Sequence, residues 1–137
     1  MSEPIAQPPL VEGVLTRISP YSLNDTLRRL QEMIRSRGLT VFAHIDHEAN
    51  AREAGLTMQP AHVLIFGNAR AGTPLMVASP LIALELPLRA LVWQGSHGPV
   101  WVSYMDPSYL AKRYSIPDEL VPNISGVETL ITAALDG

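Results

Sequence analysis

Two of the chain's four histidines lie within four positions of each other, in the segment Thr40–Ala51. His44 and His47 flank Asp46, and Glu48 follows. On a strand, His44 and Asp46 share a face because side chains alternate with a period of two. Imidazole nitrogens and a carboxylate suit zinc, iron or nickel, and the same groups perform acid–base work. The spacing therefore predicts a divalent-metal or acid–base site that uses His44, Asp46 and His47.

A structural role competes with that chemistry. Asp46 has the type and position of a helix N-cap, which would make His47 the first residue of a short helix. The helix dipole disfavours positive charge there, so we expect a neutral His47 that is available as a base or a ligand. His62 begins a later strand and would add a third nitrogen if it approached His44 across the sheet. A His62 that only bonds backbone at a strand edge is the competing interpretation, and for Asp46 we favour the cap.

A second polar segment, Gly67–Thr73, follows a predicted strand and precedes a predicted helix. It has the outline of a phosphate-binding loop, but the lysine expected between Gly72 and Thr73 is missing, which argues against a nucleotide P-loop. Backbone N–H groups with Arg70 would still suit an anion. We favour a turn, with Thr73 as N-cap and Pro74 as the first helical residue.

The elements that position these residues follow from hydrophobic periodicity and capping residues. The predicted strands are 13–18, 39–45, 61–66, 88–94 and 100–105. The predicted helices begin after Ser22, Asp46, Thr73 and Asp106, and a last one has a Ser125–Glu128 capping box and an apolar stripe of Ile124, Val127, Leu130, Ile131 and Ala134. The strand at 61–66 is almost wholly apolar, so we expect both of its faces to be covered.

The order of elements predicts an α+β fold, with an antiparallel or mixed sheet and helices on one face. The last two strands form a hairpin, and pairing symmetric about His97 would set Trp93 opposite Trp101. Residues 81–86 are extended or a short strand. Residues 1–11, rich in proline, form a flexible arm, and residues 12–137 form a single domain.

Composition excludes several classes of function. The net charge of −3 and the lack of a basic cluster argue against nucleic-acid binding. No cysteine is present for a disulfide or a thiol nucleophile. The longest uncharged run, Ala71–Leu84, falls short of the roughly 20 residues of a membrane span, and the N-terminus does not resemble a secretory signal. We therefore expect a soluble cytoplasmic protein without a membrane partner, whose low charge favours a subunit contact.

Several motifs in order resemble the family known as domain of unknown function 302. They are Ile45-Asp46-His47 with Asn50-Ala51 and Gly55-Leu56, Leu64–Asn68, Gly72–Met76, Leu86-Pro87-Leu88, Val92-Trp93, Val100–Tyr104, and Asp106-Pro107 with Tyr109-Leu110-Ala111. The resemblance spans roughly residues 12–135. It implies a β-α-β(4)-α outline, similar in topology to one repeat of the TATA-binding protein fold, and a homodimer. It implies no activity, and topology alone is no reason to expect DNA binding.

The function expected from the sequence is a non-catalytic module for small-ligand binding or interaction, with a polar site near His44, Asp46 and His47. The candidate ligand-binding residues are His44, Asp46, His47, Asn50, His62 and Asn68. The alternative is a metal-binding protein or an enzyme that uses the same cluster, with His44, Asp46 and His47 as metal ligands. No cofactor is specified beyond a possible divalent metal.

Overall fold

A computed structural model describes residues 8–95 and 98–136 of the chain. Its sheet has the strand order β1-β5-β4-β3-β2, and every neighbouring pair is antiparallel. The strands are β1 Val14–Ser19, β2 Thr40–Asp46, β3 Ala61–Gly67, β4 Leu88–Gln94 and β5 Val100–Met105. The β4–β5 hairpin sets Trp93 opposite Trp101, as predicted. The α+β prediction is confirmed, and the sheet is antiparallel rather than mixed.

Helices connect and cover this sheet. They are α1 Leu23–Ser36, α2 His47–Glu53, α3 Ala69–Ala78, α4 Pro107–Arg113 and α5 Pro122–Leu135, with 3₁₀ segments at Pro80–Leu84 and Asp118–Leu120. Three predicted N-caps are confirmed, because the side chains of Ser22, Asp46 and Asp106 each accept a backbone N–H of the first turn. Gly38 and Gly55, which follow α1 and α2, have φ values of +75° and +80° that favour glycine.

The main core lies between one face of the sheet and the pair α1 and α5. Leu64 and Phe66 of β3 are buried against these helices, together with Leu30 of α1 and Ile131 of α5. The predicted apolar stripe of α5 is buried throughout. A second cluster joins α3, the first 3₁₀ segment, α4 and α5 through Leu75, Ile82, Leu110, Ile116 and Ile124. The helices therefore fix one face of the sheet, which we call the covered face.

The opposite side, which we call the open face, corrects the prediction that both faces of β3 are covered. Val63 and Ile65 alternate with the buried Leu64 and Phe66 and are only half-buried. The prediction was wrong because an unbroken apolar run does not tell which elements pack on it. Here the two long helices lie on the same side, and β3 keeps an apolar second face.

Two helix starts also differ from prediction. Asn68, in extended conformation, accepts the Ala71 N–H at 2.8 Å, so α3 begins at Ala69 and not after Thr73. Pro74 lies inside α3, where it removes one intrahelical hydrogen bond. The capping-box prediction at Ser125 was wrong because Pro122 opens α5 three residues earlier.

The segment 81–86, expected to be extended or a short strand, has a different conformation. Its first four residues belong to the 3₁₀ segment Pro80–Leu84.

The two competing caps of α3 give a direct test. Asn68→Ala is expected to lower the free energy of unfolding by about 1 kcal/mol, because it leaves the Ala71 N–H without its acceptor. Thr73→Ala, within the helix and exposed, is expected to change it by less than about 0.5 kcal/mol. Urea denaturation of both variants measures the difference. Equal losses would restore Thr73 as the cap.

Some predictions fall outside the described residues. The predicted arm lies largely on residues 1–7, and His97 of the hairpin link is also outside. Leu10 and Val11, at the described end of the arm, are exposed. Within residues 8–95 and 98–136, no helix combines the length and the apolar character needed to cross a bilayer.

Candidate functional site

His44 and His62 form a pair at the edge of the covered face. His44 Nε2 lies 2.9 Å from His62 Nδ1, and the ring centroids are 5.1 Å apart. Asp46 is the register partner of His62, which is only 9% exposed. The predicted approach of His62 to His44 across the sheet is therefore observed.

A bulge in β2 makes this approach possible. Val41 pairs with Phe66 and Ala43 pairs with Ile65, so Phe42 is an extra residue in β2. A bulge reverses the faces of the residues that follow it. His44 therefore lies on the covered face as a register partner of Leu64, and Asp46 follows two residues later on the same face.

The outer nitrogen of each ring also has a polar neighbour. Gln31 Nε2 of α1 lies 3.4 Å from His44 Nδ1, and Asp46 Oδ2 lies 3.9 Å from His62 Nε2. The other oxygen of Asp46 accepts the Ala49 N–H at 2.9 Å. Asp46 is thus both the cap of α2 and a member of the cluster, so the two interpretations of this residue are compatible.

One arrangement of protons satisfies the cluster with both rings neutral. The Gln31 amide donates to His44 Nδ1, and His44 Nε2–H donates to His62 Nδ1. The remaining N–H of His62 then faces the Asp46 carboxylate. Double protonation would set two N–H groups against each other across 2.9 Å, so the geometry accepts at most one added proton.

Electrostatics in the cluster favour that neutral state for His44. Partial burial lowers the pKa of the His44 imidazole below its ordinary value of 6.5, and the charge of His62 lowers it further, while the Asp46 carboxylate opposes both. The hydrogen bond from Ala49 N–H lowers the pKa of Asp46 below 3.8.

The lowered pKa of His44 predicts a pH-dependent stability. As pH falls below 6.5, the unfolded chain protonates His44 before the folded chain does. The free energy of unfolding therefore falls as pH falls below 6.5, and the contribution of neutral His44 to it is complete only above that pH. Thermal melts between pH 5 and 8 should show this slope. His44→Gln should flatten it. An unchanged slope in His44→Gln would contradict the assignment.

The remaining predicted residues lie apart from this cluster. His47 is the first residue of α2, as predicted, but it lines a groove on the open face. Asn50 is exposed on α2, and Asn68 caps α3. Among the described residues, no group of three or more His, Cys, Asp or Glu side chains is arranged to hold a metal ion. The structure thus brings together His44, Asp46 and His62 and separates them from His47.

The groove on the open face measures about 440 Å³ and has an apolar floor. Its lining residues come from β1, β3, β4, β5 and the start of α2 and are Val14, His47, Ala61, Val63, Arg89, Leu91, Ser103, Tyr104 and Met105. Beyond them on this face, the Trp93 and Trp101 rings lie 6.3 Å apart, and Trp93 Nε1 donates to Ser103 Oγ at 2.9 Å. Trp101 pairs with Ile18 of β1, whose residue surface is 58% exposed.

Sequence reasoning missed two parts of this arrangement. Gln31 is half-buried one turn after Leu27 on α1, at the margin of the apolar stripe, and no local signal connects it to His44. A cavity of about 280 Å³ lies beside Asn68, lined by residues from β2, α3, the Leu86–Leu88 segment and α5. Asn68 was the only one of these residues among the candidate ligand-binding residues, and the others are apolar residues, glycines and Asn123.

The comparisons with known proteins agree on the fold. The family described as "Domain of unknown function DUF302" matches residues 15–136. The crystal structure of an uncharacterized conserved DUF302 protein from Bacillus stearothermophilus is similar, with a TM-score of 0.76 and 21% identity, over 92% of this chain and 98% of that chain. At that identity the likeness shows the fold alone.

Two curated relatives bear a functional name. "Fluoride-specific ion channel FluC 1" of Brucella suis and "Fluoride-specific ion channel FluC 2" of Brucella melitensis are each 42% identical over 104 residues. The matched segment is 76% of this chain but 41% and 38% of those two proteins. The chain therefore spans about two fifths of the length of the relatives it matches.

Proposed function

The chain belongs to the DUF302 family, and from that premise we propose that it is a non-catalytic cytoplasmic binding domain that forms a homodimer through the open face of its sheet. The observation that carries the proposal is the apolar surface of this face. Val63 and Leu91 are half-buried there, and Ile18 is 58% exposed. The solvated face of an antiparallel sheet ordinarily alternates to polar residues, so apolar residues on it favour a partner.

A second copy of the chain suits this face. Two sheets pack face to face at about 10 Å, and a two-fold axis would bring the same apolar residues of both copies together. Arg89, a charged residue of the groove, is paired with Glu85 of its own chain at 3.2 Å. Two copies would therefore not oppose unpaired guanidinium groups at this position.

The mass in solution tests the homodimer. Light scattering at micromolar concentration is expected to give twice the chain mass of 15.0 kDa. A clean monomer at that concentration would contradict the proposal.

For small-ligand binding, the proposal includes the cluster of His44, Asp46 and His62. His44 is exposed at the sheet edge, so a ligand can reach the shared His44–His62 hydrogen bond from solvent. A polar ligand that replaces this hydrogen bond would meet one donor, His44 Nε2–H, and one acceptor, His62 Nδ1, on rings held by Gln31 and Asp46. His47 and Asn50 lie outside that cluster, and any role of theirs would belong to the open face or to α2.

A metal-binding protein or an enzyme is the alternative function, and the outer partners of the two rings favour it. Histidines that bind metals commonly bond a carboxylate or another polar group through the second nitrogen, as His62 faces Asp46 and His44 faces Gln31. The inner nitrogens, 2.9 Å apart, would then face the ion, with water completing its coordination. A metal site of His44, Asp46 and His47 alone would require His47 to leave the groove of the open face.

Elemental analysis and thermal melts with Zn²⁺ or Ni²⁺ test this alternative. A metal bound by the cluster is expected to raise the melting temperature of the unmodified protein and of His47→Ala, but not of His62→Ala. The absence of bound metal and of any shift would remove the alternative. A shift lost in His47→Ala would instead favour the site predicted from the sequence.

The Brucella relatives suggest a setting for the binding domain. Because the matched segment is only about two fifths of those proteins, we infer that a domain of this kind works beside a fluoride channel, which departs from the expectation of no membrane partner. Co-expression of this chain with a fluoride channel, followed by purification of the channel, is expected to recover both. Recovery of the channel alone in mild detergent would contradict this association. It would not bear on the proposal that the chain forms a homodimer.

A further inference from the structure

The cavity beside Asn68 shares no lining residue with the histidine cluster or with the groove of the open face. Its walls are mainly Phe42, Leu75, Met76 and Leu86, and its volume is about 280 Å³. A dry cavity of about 150 Å³ holds benzene, so this volume suits a somewhat larger molecule of roughly ten non-hydrogen atoms. The bulge that turns His44 onto the covered face also supplies Phe42 to this wall.

Two fixed amides give the cavity a polar end. Asn68 Oδ1 accepts the Ala71 N–H at 2.8 Å, which leaves the Nδ2 hydrogens of Asn68 for another acceptor. Asn123 Nδ2 donates to the Ala71 carbonyl at 3.1 Å, which leaves Asn123 Oδ1 as an acceptor. Both amides are thus held on the backbone of one residue and offer one donor and one acceptor.

The residues that line the cavity include none with a charged side chain, and Arg37 lines only the neighbouring cavity of about 170 Å³ that shares Asn68 and Asn123. An ionised group in such a surrounding would lose its hydration without a countercharge, which is costly. A neutral group that both donates and accepts hydrogen bonds would exchange its bonds to water for bonds to the two amides, which offer one acceptor and one donor. The chemistry of the lining therefore selects a neutral ligand over an anion or a cation.

We propose that this cavity is a binding site for a small apolar molecule that ends in an uncharged carboxamide-like group. Asn68 and Asn123 bind the polar end, and Leu75, Met76 and Leu86 contact the apolar body. The site is separate from the proposed dimer face, so a failure of one proposal would leave the other unaffected.

Gly72 offers a way to fill the cavity. A Cβ atom added there would lie 3.8 Å from Leu86 Cδ1 and 3.8 Å from Met76 Cε, which is ordinary van der Waals contact with two lining residues. The leucine side chain introduced by Gly72→Leu would therefore occupy space between the side chains that line the cavity. Ala78→Leu is the matched control, because Ala78 lies in the same helix, is exposed, and is outside the residues that line the cavity.

Benzamide is the probe, with benzoate as its charged counterpart. Calorimetric titration is expected to show saturable binding of benzamide to the unmodified chain and to Ala78→Leu, with a dissociation constant of about 1 mM or below. Gly72→Leu is expected to weaken this binding at least tenfold, and benzoate is expected to bind at least tenfold more weakly than benzamide.

Three results would overturn the proposal. They are no saturable binding of benzamide to the unmodified chain, equal binding to Gly72→Leu, and benzoate binding as tight as benzamide. If Gly72→Leu does not fold, Gly72→Ala replaces it in the test. This variant adds only the Cβ atom and is expected to weaken the binding of benzamide measurably. Asn123→Leu is expected to weaken the binding of benzamide but not that of toluene. An equal loss of affinity for both molecules would contradict the role of the Asn123 amide.

Discussion

Replacing Ile18 by glutamate is expected to weaken self-association by roughly 100-fold or more. Ile18 lies on the open face beside Trp101 and is 58% exposed, so the substitution leaves the core intact. In a two-fold dimer each copy would bring one carboxylate to the interface, and an uncompensated buried charge costs several kcal/mol. Sedimentation equilibrium measures the dissociation constant.

The control for this result is Val77→Glu. Val77 is also exposed, at 77%, but lies on α3, whose core cluster joins the other helices and not the open face. This variant is expected to associate like the unmodified chain. A dimer that survives Ile18→Glu, or one that is lost equally in both variants, would argue against the open face as the interface.

Replacing Leu64 by alanine is expected to lower the free energy of unfolding by about 2–5 kcal/mol. Leu64 is fully buried between the sheet and the two long helices, and it is the register partner of His44. The loss combines the removed apolar surface with the cavity that the surrounding residues cannot fill. Urea denaturation at a fixed protein concentration measures it.

Leu84→Ala is the matched control, because it removes the same atoms from a side chain in the first 3₁₀ segment that is 74% exposed. Its effect is expected to stay within about 0.5 kcal/mol. Similar losses in Leu64→Ala and Leu84→Ala would contradict the assignment of the core to the covered face.

Features set by near neighbours in the chain could be predicted from the sequence. The caps at Ser22, Asp46 and Asp106 each bond a backbone N–H two or three residues away, so residue type and spacing were sufficient. The pairing of Trp93 with Trp101 followed from the symmetry of a short hairpin. Where two caps competed, as at Asn68 and Thr73, local rules could not rank them.

The candidate site was only partly predictable, because it depends on the β2 bulge. Simple alternation from Val41 would have placed His44 on the open face, away from His62. The extra residue Phe42 reverses this, and nothing in the sequence marks it as a bulge. His47 was grouped with His44 by its spacing, but the turn from β2 into α2 carries it to the other side of the sheet.

The cavity could not be predicted, because its walls come from segments far apart in the chain. Phe42, Leu86 and Asn123 meet only through tertiary packing. Asn68 was singled out from the sequence as part of the loop Gly67–Thr73, but nothing in the sequence connected that loop to Phe42, Leu86 or Asn123. Such a site becomes visible once α3 and α5 are placed against the end of the sheet.

The reactivity of a single cysteine on the open face tests the homodimer most directly. The chain has no cysteine of its own, so Val63→Cys introduces one thiol with little change of shape. Val77→Cys is the control, since Val77 is 77% exposed on α3. We predict that modification of Val63→Cys by a thiol reagent slows as protein concentration rises, while that of Val77→Cys does not. A rate for Val63→Cys that is unchanged from nanomolar to micromolar concentration, and that Ile18→Glu does not increase, would contradict a dimer formed through this face.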